Sequence, residues 1–292
     1  MTMMKNIKLL SQPSERGSHN YAFIDRIFYD HIGQTLPVLE VVMPTMQAQA
    51  HLYPYLLLLD ELDDDSWIAL NETIAGQIAL SEPLLCSVFF TSRLLPKALC
   101  QILAERLIRR YDDKYYVLRY YDPRVMTHLL WMFPDEEWQA FELETKCSSW
   151  SIYLNGGWHS FEIGSDENGV GANTVRINKE TLLNIGDINC VLSALPKETQ
   201  LEDHIRLSQK VNGYLITAKD RYGFVNPTDR IAFALHCATV GERFDETPFM
   251  TRAISNARQE NIGYAIFTGN FSPLDWLLIK DQLVHECVKE RV

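Results

Sequence analysis

The sequence predicts an α/β or α+β N-terminal lobe, built on a mixed sheet with flanking helices, followed by a mainly α-helical C-terminal lobe. Three observations carry this. Residues 20 to about 163 mix strand-like apolar runs with a helical repeat. Residues beyond about 195 read as helices joined by short connections. Between them, Gly164-Ser165-Asp166-Glu167-Asn168-Gly169-Val170-Gly171-Ala172-Asn173 collects turn formers without apolar periodicity, as an exposed, mobile loop would. The expected organisation is therefore a first lobe over 1–163, a loop or linker over 164–194 and a helical lobe over 195–292. With 292 residues and 47% hydrophobic content, one large or two modest domains can each bury a core without staples.

Tyr53-Pro54-Tyr55-Leu56-Leu57-Leu58-Leu59, closed by Asp60-Glu61, predicts a strand buried on both faces. Val88-Phe89-Phe90 and Tyr115-Tyr116-Val117-Leu118-Arg119-Tyr120 are further strands by their β-branched and aromatic content. From Pro96 to Arg110 the spacing of Ala98, Leu99, Ile102, Leu103 and Leu107 predicts a helix, with Pro96 suited to its first turn. Strand, helix, strand implies a right-handed parallel crossover. Trp150–Leu154 and Trp158–Ile163 flank Asn155-Gly156-Gly157, the pattern of a β-hairpin. In the second lobe Asn226-Pro227, Thr247-Pro248 and Ser272-Pro273 each set a capping side chain before a proline, marking three helix starts. The first helix should run to Val240 with Gly241 as a left-handed terminator. The last shows two apolar sides, Leu277, Val284 and Val288 on one and Trp276, Leu283 and Cys287 on another, wide enough that part could stay open for a partner.

The six cysteines, Cys86, Cys100, Cys147, Cys190, Cys237 and Cys287, form no Cys-x-x-Cys pair and read as core thiols of a reducing compartment. Lys5 and Lys8 precede only Ile7, Leu9 and Leu10 before the chain turns polar, so no signal peptide is expected, and no apolar run approaches the roughly 20 residues of a membrane span. The expected compartment is the cytoplasm. A net charge of −11 argues against nucleic acid, with Arg106, Arg109 and Arg110 read as one basic helical turn.

Catalytic and metal constellations fail on spacing, and the expected roles are no catalysis, no cofactor and no metal. Gly169-Val170-Gly171 follows no strand–helix signal and is no phosphate loop. His236 and Cys237 are adjacent and would point about 100° apart on a helix, which suits packing better than ligation. Cys147 with His128 or His159 has the residue types of a thiol nucleophile and base, but only coexistence in one chain to recommend it. Asp63-Asp64-Asp65 lacks the calcium-loop pattern, and Asp135-Glu136-Glu137 suits a helix's first turn.

The distinctive stretch is Arg119-Tyr120-Tyr121-Asp122-Pro123-Arg124, a strand running into a proline-led helix that continues through Val125, Leu129, Leu130 and Met132. Asp122 is placed as N-cap and Pro123 at the first helical position. Arg119 and Arg124 could fasten the corner by charge-assisted pairs. Two readings stay open: a rigid junction, or an interface anchor formed by Arg124 with Tyr120, Tyr121 and Trp131, residue types that dominate binding hot spots.

At this corner the sequence resembles the type VI secretion effector chaperone and adaptor family (domain of unknown function 4123), whose mark is Arg-Phe/Tyr-Tyr-Asp-Pro-Arg. Tyr21-Ala22-Phe23-Ile24-Asp25 resembles that family's opening strand, Tyr53 to Leu58 its proline-aromatic-leucine strand, and Trp67 and Ser92 fall at its tryptophan and serine. The likeness spans roughly residues 20 to 145. It implies a non-enzymatic role: binding a secreted effector protein, keeping it soluble and delivering it to the spike protein of the secretion apparatus. The residues alone leave an immunity-type binder or scaffold, or a hydrolase with a non-motif site, as alternatives.

Overall fold

The computed structural model describes residues 7–10, 12, 16–111, 113–133, 138, 146–163 and 179–289, and the chain divides into two compact units, Met1–Lys179 and Glu180–Val292. The first unit holds strands β1 (Ile7–Leu9), β2 (Tyr21–Ile24), β3 (Val38–Glu40), β4 (Tyr55–Leu58), β5 (Cys86–Ser92), β6 (Ile108–Tyr111), β7 (Lys114–Val117), β8 (Cys147–Leu154) and β9 (Gly157–Ile163). Its helices are α1 (Arg26–Tyr29), α2 (Asp64–Leu80), α3 (Pro96–Leu107) and α4 (Pro123–Met132).

Seven strands form one sheet in the order β1-β9-β8-β5-β2-β4-β3. Every pairing in it is antiparallel, so the expected class holds in its α+β form while the mixed sheet and the parallel crossover are corrected. The cause is local. Helix α3 stops at Leu107 rather than Arg110, and the chain enters β6, which pairs with β7 in a separate two-stranded hairpin. Arg109 and Arg110 are therefore strand residues, not part of one helical turn with Arg106.

Strand alternation sorts the core. Ala22, Ile24, Tyr55, Leu57 and Phe89 share a cluster with Leu70 and Ile74 of α2. Phe23, Leu56, Val88, Phe90, Trp150 and Phe161 alternate with those positions and are equally buried. Burial on both faces explains why β4 is a continuous apolar run although its neighbours are antiparallel. The β8–β9 hairpin is as expected: Leu154 pairs with Gly157, and Asn155 and Gly156 sit at φ 52° and 91°, the two positive values of a type I′ turn. Asp63 caps α2, accepting from the Ser66 N–H at 2.8 Å, with Asp64 and Asp65 in the first turn where their charge opposes the helix dipole.

The second unit holds α5 (Lys179–Leu183), α6 (Ile185–Ser193), α7 (Leu201–Asp220), α8 (Pro227–Thr239), α9 (Pro248–Gln259), α10 (Tyr264–Gly269) and α11 (Pro273–Lys289). Helices α5 and α6 occupy part of the segment assigned from sequence to a linker; residues 164–178, including Gly169-Val170-Gly171, lie outside the described residues, as do Asp135, Glu136 and Glu137. All three capped starts form: Asn226 accepts from the Thr228 N–H at 3.0 Å, Thr247 from Met250 at 3.4 Å and Ser272 from Asp275 at 3.3 Å. Gly241 follows α8 at a positive φ of 155°, a conformation that favours glycine although it is more extended than an αL terminator, and an added Cβ would also meet Leu283 Cδ1 at 3.0 Å.

Phe233, Phe244, Met250, Tyr264 and Ile279 form the second unit's core. Trp276 and Leu283 of α11 pack against it, whereas Leu274, Leu277, Leu278 and Val284 are exposed; the side chains of Cys287 and Val288 are outside the described set. Among the described residues no helix is long and apolar enough to cross a membrane. Cys86, Cys147 and Cys237 are buried free thiols as expected, but Cys190 is exposed on α6, a correction to its reading as core, since its position on the helix faces away from the packed side of Ile188 and Val191.

Candidate functional site

The corner is built from backbone upward. After β7 the chain tightens through Tyr120 N–H to Leu118 O at 2.9 Å and Asp122 N–H to Arg119 O at 2.8 Å, and α4 begins. Asp122 is the N-cap: its Oδ1 accepts the Arg124 backbone N–H at 3.0 Å. The same carboxylate receives the Arg124 guanidinium as a two-point fork, Nε to Oδ1 at 3.0 Å and Nη2 to Oδ2 at 2.6 Å. That fork raises the Arg124 pKa further above its already high value, with the side-chain hydrogen bond the main cause. Arg119 reaches the other way: its Nη2 pairs with Oδ2 of Asp25, while Oδ1 of Asp25 caps α1 through the Ile27 N–H. One carboxylate thus ties α1 to the strand–helix junction, and the Arg119 guanidinium also lies 5.3 Å from the Tyr121 ring centre.

Tyr120 and Tyr121 are not surface anchors, which corrects their reading as partner-contacting residues. They are 0% and 3% exposed. Both enter the core because the tight turn after Leu118 breaks strand alternation and sends consecutive side chains inward. Tyr120 donates to Leu103 O at 2.8 Å and meets Phe23 edge-on at 5.8 Å; Tyr121 donates to Leu52 O at 3.4 Å, and burial pushes its hydroxyl up to about 12. Trp131 is half-buried, edge-on to buried His128 at 6.2 Å. Of the four sequence candidates for contact, Arg124 alone has a mostly exposed side chain, at 65%. The exposed apolar residues beside this corner are Ile27 and Phe28 of α1, which follow Asp25, and Leu52, whose carbonyl Tyr121 holds. Sequence reading passed over them; the Asp25 cap before a four-residue helix was the available signal.

Cys147 is fully buried, and burial raises its thiol well above the ordinary range, so a thiolate is disfavoured. His159 stands opposite Ile152 in the β8–β9 register, five residues from Cys147, which at about 3.3 Å per residue is some 17 Å along the strand. His236 Nδ1 bonds Tyr264 Oη at 2.7 Å and its ring lies 4.4 Å from that of Trp276, while Cys237 turns into the core. His236, Phe271, Trp276 and Lys280 line a cavity of about 480 Å³ in the second unit. No cluster of three metal-ligating side chains occurs among the described residues.

The corner's energetics separate its two arginine roles. Asp122→Ala removes the cap and both Arg124 bonds and is expected to cost about 1–2 kcal/mol in denaturant unfolding. Arg124→Ala deletes a guanidinium that is 65% exposed and leaves the Asp122 cap bond to the backbone N–H in place, and is expected to cost about 1 kcal/mol or less. A cost for Arg124→Ala equal to that of Asp122→Ala would show that the fork, not the cap, holds the junction.

Residues 43–140 match the family model described as Domain of unknown function (DUF4123). The match contains the whole corner, β4 and α2 to α4, and begins after β2, so it agrees with the expected resemblance over a shorter span. No curated protein and no solved structure matches the chain.

Proposed function

We propose that this chain is a cytoplasmic adaptor of a type VI secretion system, which binds a toxic effector, keeps it folded and soluble, and helps load it onto the spike protein. The observation that carries the reading is the Arg119–Arg124 motif lying inside the matched residues 43–140, in the order of residues that marks the effector-chaperone family. The geometry gives that motif a job: it locks α1, the end of β7 and α4 to one another through Asp25 and Asp122. Such a lock holds a surface in shape for a partner at little entropic cost on binding. The surface beside it offers Arg124, Phe28, Ile27 and Leu52, a guanidinium next to exposed apolar groups. Cys147 and His128, the side chains of the hydrolase reading, are buried in the core, which favours a binding role over that alternative.

Retention of an effector on the tagged protein, and failure to export that effector when the chain is deleted, is the test. An immunity-type binder differs in outcome, since its deletion poisons the cell that makes the toxin.

A further inference from the structure

Helices α8, α10 and α11 of the second unit surround the cavity of about 480 Å³ that His236, Phe271, Trp276 and Lys280 line. Its room comes from small residues: Ala232 lies one turn before His236 on α8, and Ala265 and Gly269 line it from α10. A Cβ added at Gly269 would meet nothing within 4 Å, so that wall is open. The aromatic wall centres on Trp276, with the His236 ring 4.4 Å away and the Phe271 ring 5.3 Å away. Lys280 follows Trp276 by one turn and shares its face of α11. A cavity of this size is in the range of small-ligand pockets, and no acidic side chain lines it among the described residues.

Two donors of this cavity are left for an occupant. Tyr264 is 2% exposed, and its hydroxyl has one partner among the described residues, His236 Nδ1 at 2.7 Å. A buried O–H that donates to nothing is costly, so Tyr264 donates, Nδ1 accepts, and the neutral ring carries its proton on Nε2. Nε2 has no partner among the described residues and keeps contact with solvent. Exposed Lys280 has no ion partner there either. The carboxylates on the same helices are engaged elsewhere: Asp229 accepts the Ala265 N–H at 2.9 Å, Asp275 the Ser272 N–H at 2.8 Å, and Asp281 lies 3.7 Å from His285.

We propose that this cavity binds an aromatic carboxylate, with its ring against Trp276 and Phe271 and its charge shared between Lys280 and the Nε2–H of His236. The site goes beyond the adaptor reading and does not rest on it. An aromatic cage can also hold a cation, but Lys280 in the same cavity repels one. A carboxylate gains a charge-assisted hydrogen bond from the ammonium and a second bond from the imidazole. An aryl body adds ring–ring contact beyond the area it buries. This chemistry has two sources, a free arylalkanoic acid or the C-terminal aromatic residue of a bound protein, and both set a ring a few bonds from the carboxylate. Negative charge beside the imidazole favours its protonated form, so occupancy should raise the His236 pKa from about 4.

The probe is phenylpropionate, with phenylpropylamine and phenylpropanol as controls, and the readouts on the full chain at neutral pH are affinity and the nitrogen resonance of His236 Nε2. The acid should bind at least tenfold tighter than the amine and shift that resonance. Lys280→Met keeps the apolar stem and should weaken the acid about tenfold while leaving the alcohol nearly unchanged. Gly269→Phe, which places a ring in the open wall, should abolish binding of both. Lys280 is exposed, so its variant keeps the idea open to refutation if the bulkier one misfolds. A tripeptide ending in phenylalanine, with its C-terminus free or amidated, separates the sources. Tighter binding of the free-ended peptide than of phenylpropionate assigns the site to a protein's chain end, and the reverse order assigns it to a small acid. Equal affinity for acid and amine, no binding of the acid at millimolar concentration, or acid binding unchanged in both variants would overturn the proposal.

Discussion

Trp150→Ala is expected to destabilise the chain by roughly 3–5 kcal/mol, visible as a large fall in the denaturant midpoint of the first unit's transition. Trp150 is fully buried at the middle of the sheet, with the Phe90 ring stacked 4.7 Å away and Phe161 parallel to it at 6.4 Å. Removing the indole leaves a void between two rings that β5 and β9 hold in place, so collapse around it is limited. The indole N–H has no acceptor among the described residues. A buried unpaired donor is itself costly, so Trp150→Phe should lose much less, because it sheds that donor along with part of the ring. Equal losses for alanine and phenylalanine would mean that the stack is not what holds this face together.

Mild acid should weaken both units through two histidines, buried His19 in the first and half-buried His236 in the second. Each is lowered by burial from 6.5 to about 4. His19 is bonded to hydroxyls, Thr91 Oγ1 at 3.0 Å and Ser151 Oγ at 2.8 Å, and these supply no charge to balance an imidazolium. His236 faces Tyr264, Phe244 and Trp276, with Lys280 lining the same cavity. A folded-state pKa below the unfolded one means that the unfolded chain binds more protons across the interval. Stability is therefore full above about pH 6.5 and falls as the pH drops towards 4, by roughly 2–3 kcal/mol for each ring after allowing for partial solvent contact. The carboxylates held low by partners, Asp30 through Arg26 and Glu246 through Arg243, add their losses only as the pH falls through the carboxylate range. Equilibrium unfolding from pH 7.5 to 4.5 checks this, and His19→Gln with His236→Gln should flatten the profile between 6.5 and 4.5. An unchanged slope in that double variant would assign the acid loss to other groups.

What could be read from the sequence was local. Asn226-Pro227, Thr247-Pro248 and Ser272-Pro273 announced helices because a cap and its proline act within three residues. Asn155-Gly156 announced a hairpin because its two positive φ values are a property of those residues. The sheet order was not legible, since pairing β1 with β9 joins Ile7 to Ile163 across most of the first unit. Nor was the antiparallel sense of β4, because a strand covered on both faces reads alike in either kind of sheet. At the corner, the Asp122 cap and the arginine pairing were legible as local chemistry. The burial of Tyr120 and Tyr121 was not, because it depends on Leu103, Leu52 and Phe23, distant in sequence. Ile27 and Phe28 were passed over for a related reason: the Arg119–Asp25 pair, 94 residues apart in sequence, brings α1 to the corner.

The Arg119–Arg124 stretch therefore has two layers. Arg119, Asp122 and Pro123 fix a junction, and Arg124 is the one member whose side chain lies mostly in solvent. In the proposed function this junction belongs to a protein that carries another protein. The most direct measurement is the export of toxins by a bacterium with an active type VI apparatus, compared with and without this chain. For an adaptor, one effector should disappear from the medium while the deletion strain grows normally, and the tagged chain, restored, should retrieve that same effector. Undiminished export of every effector, or self-poisoning on deletion, would contradict it.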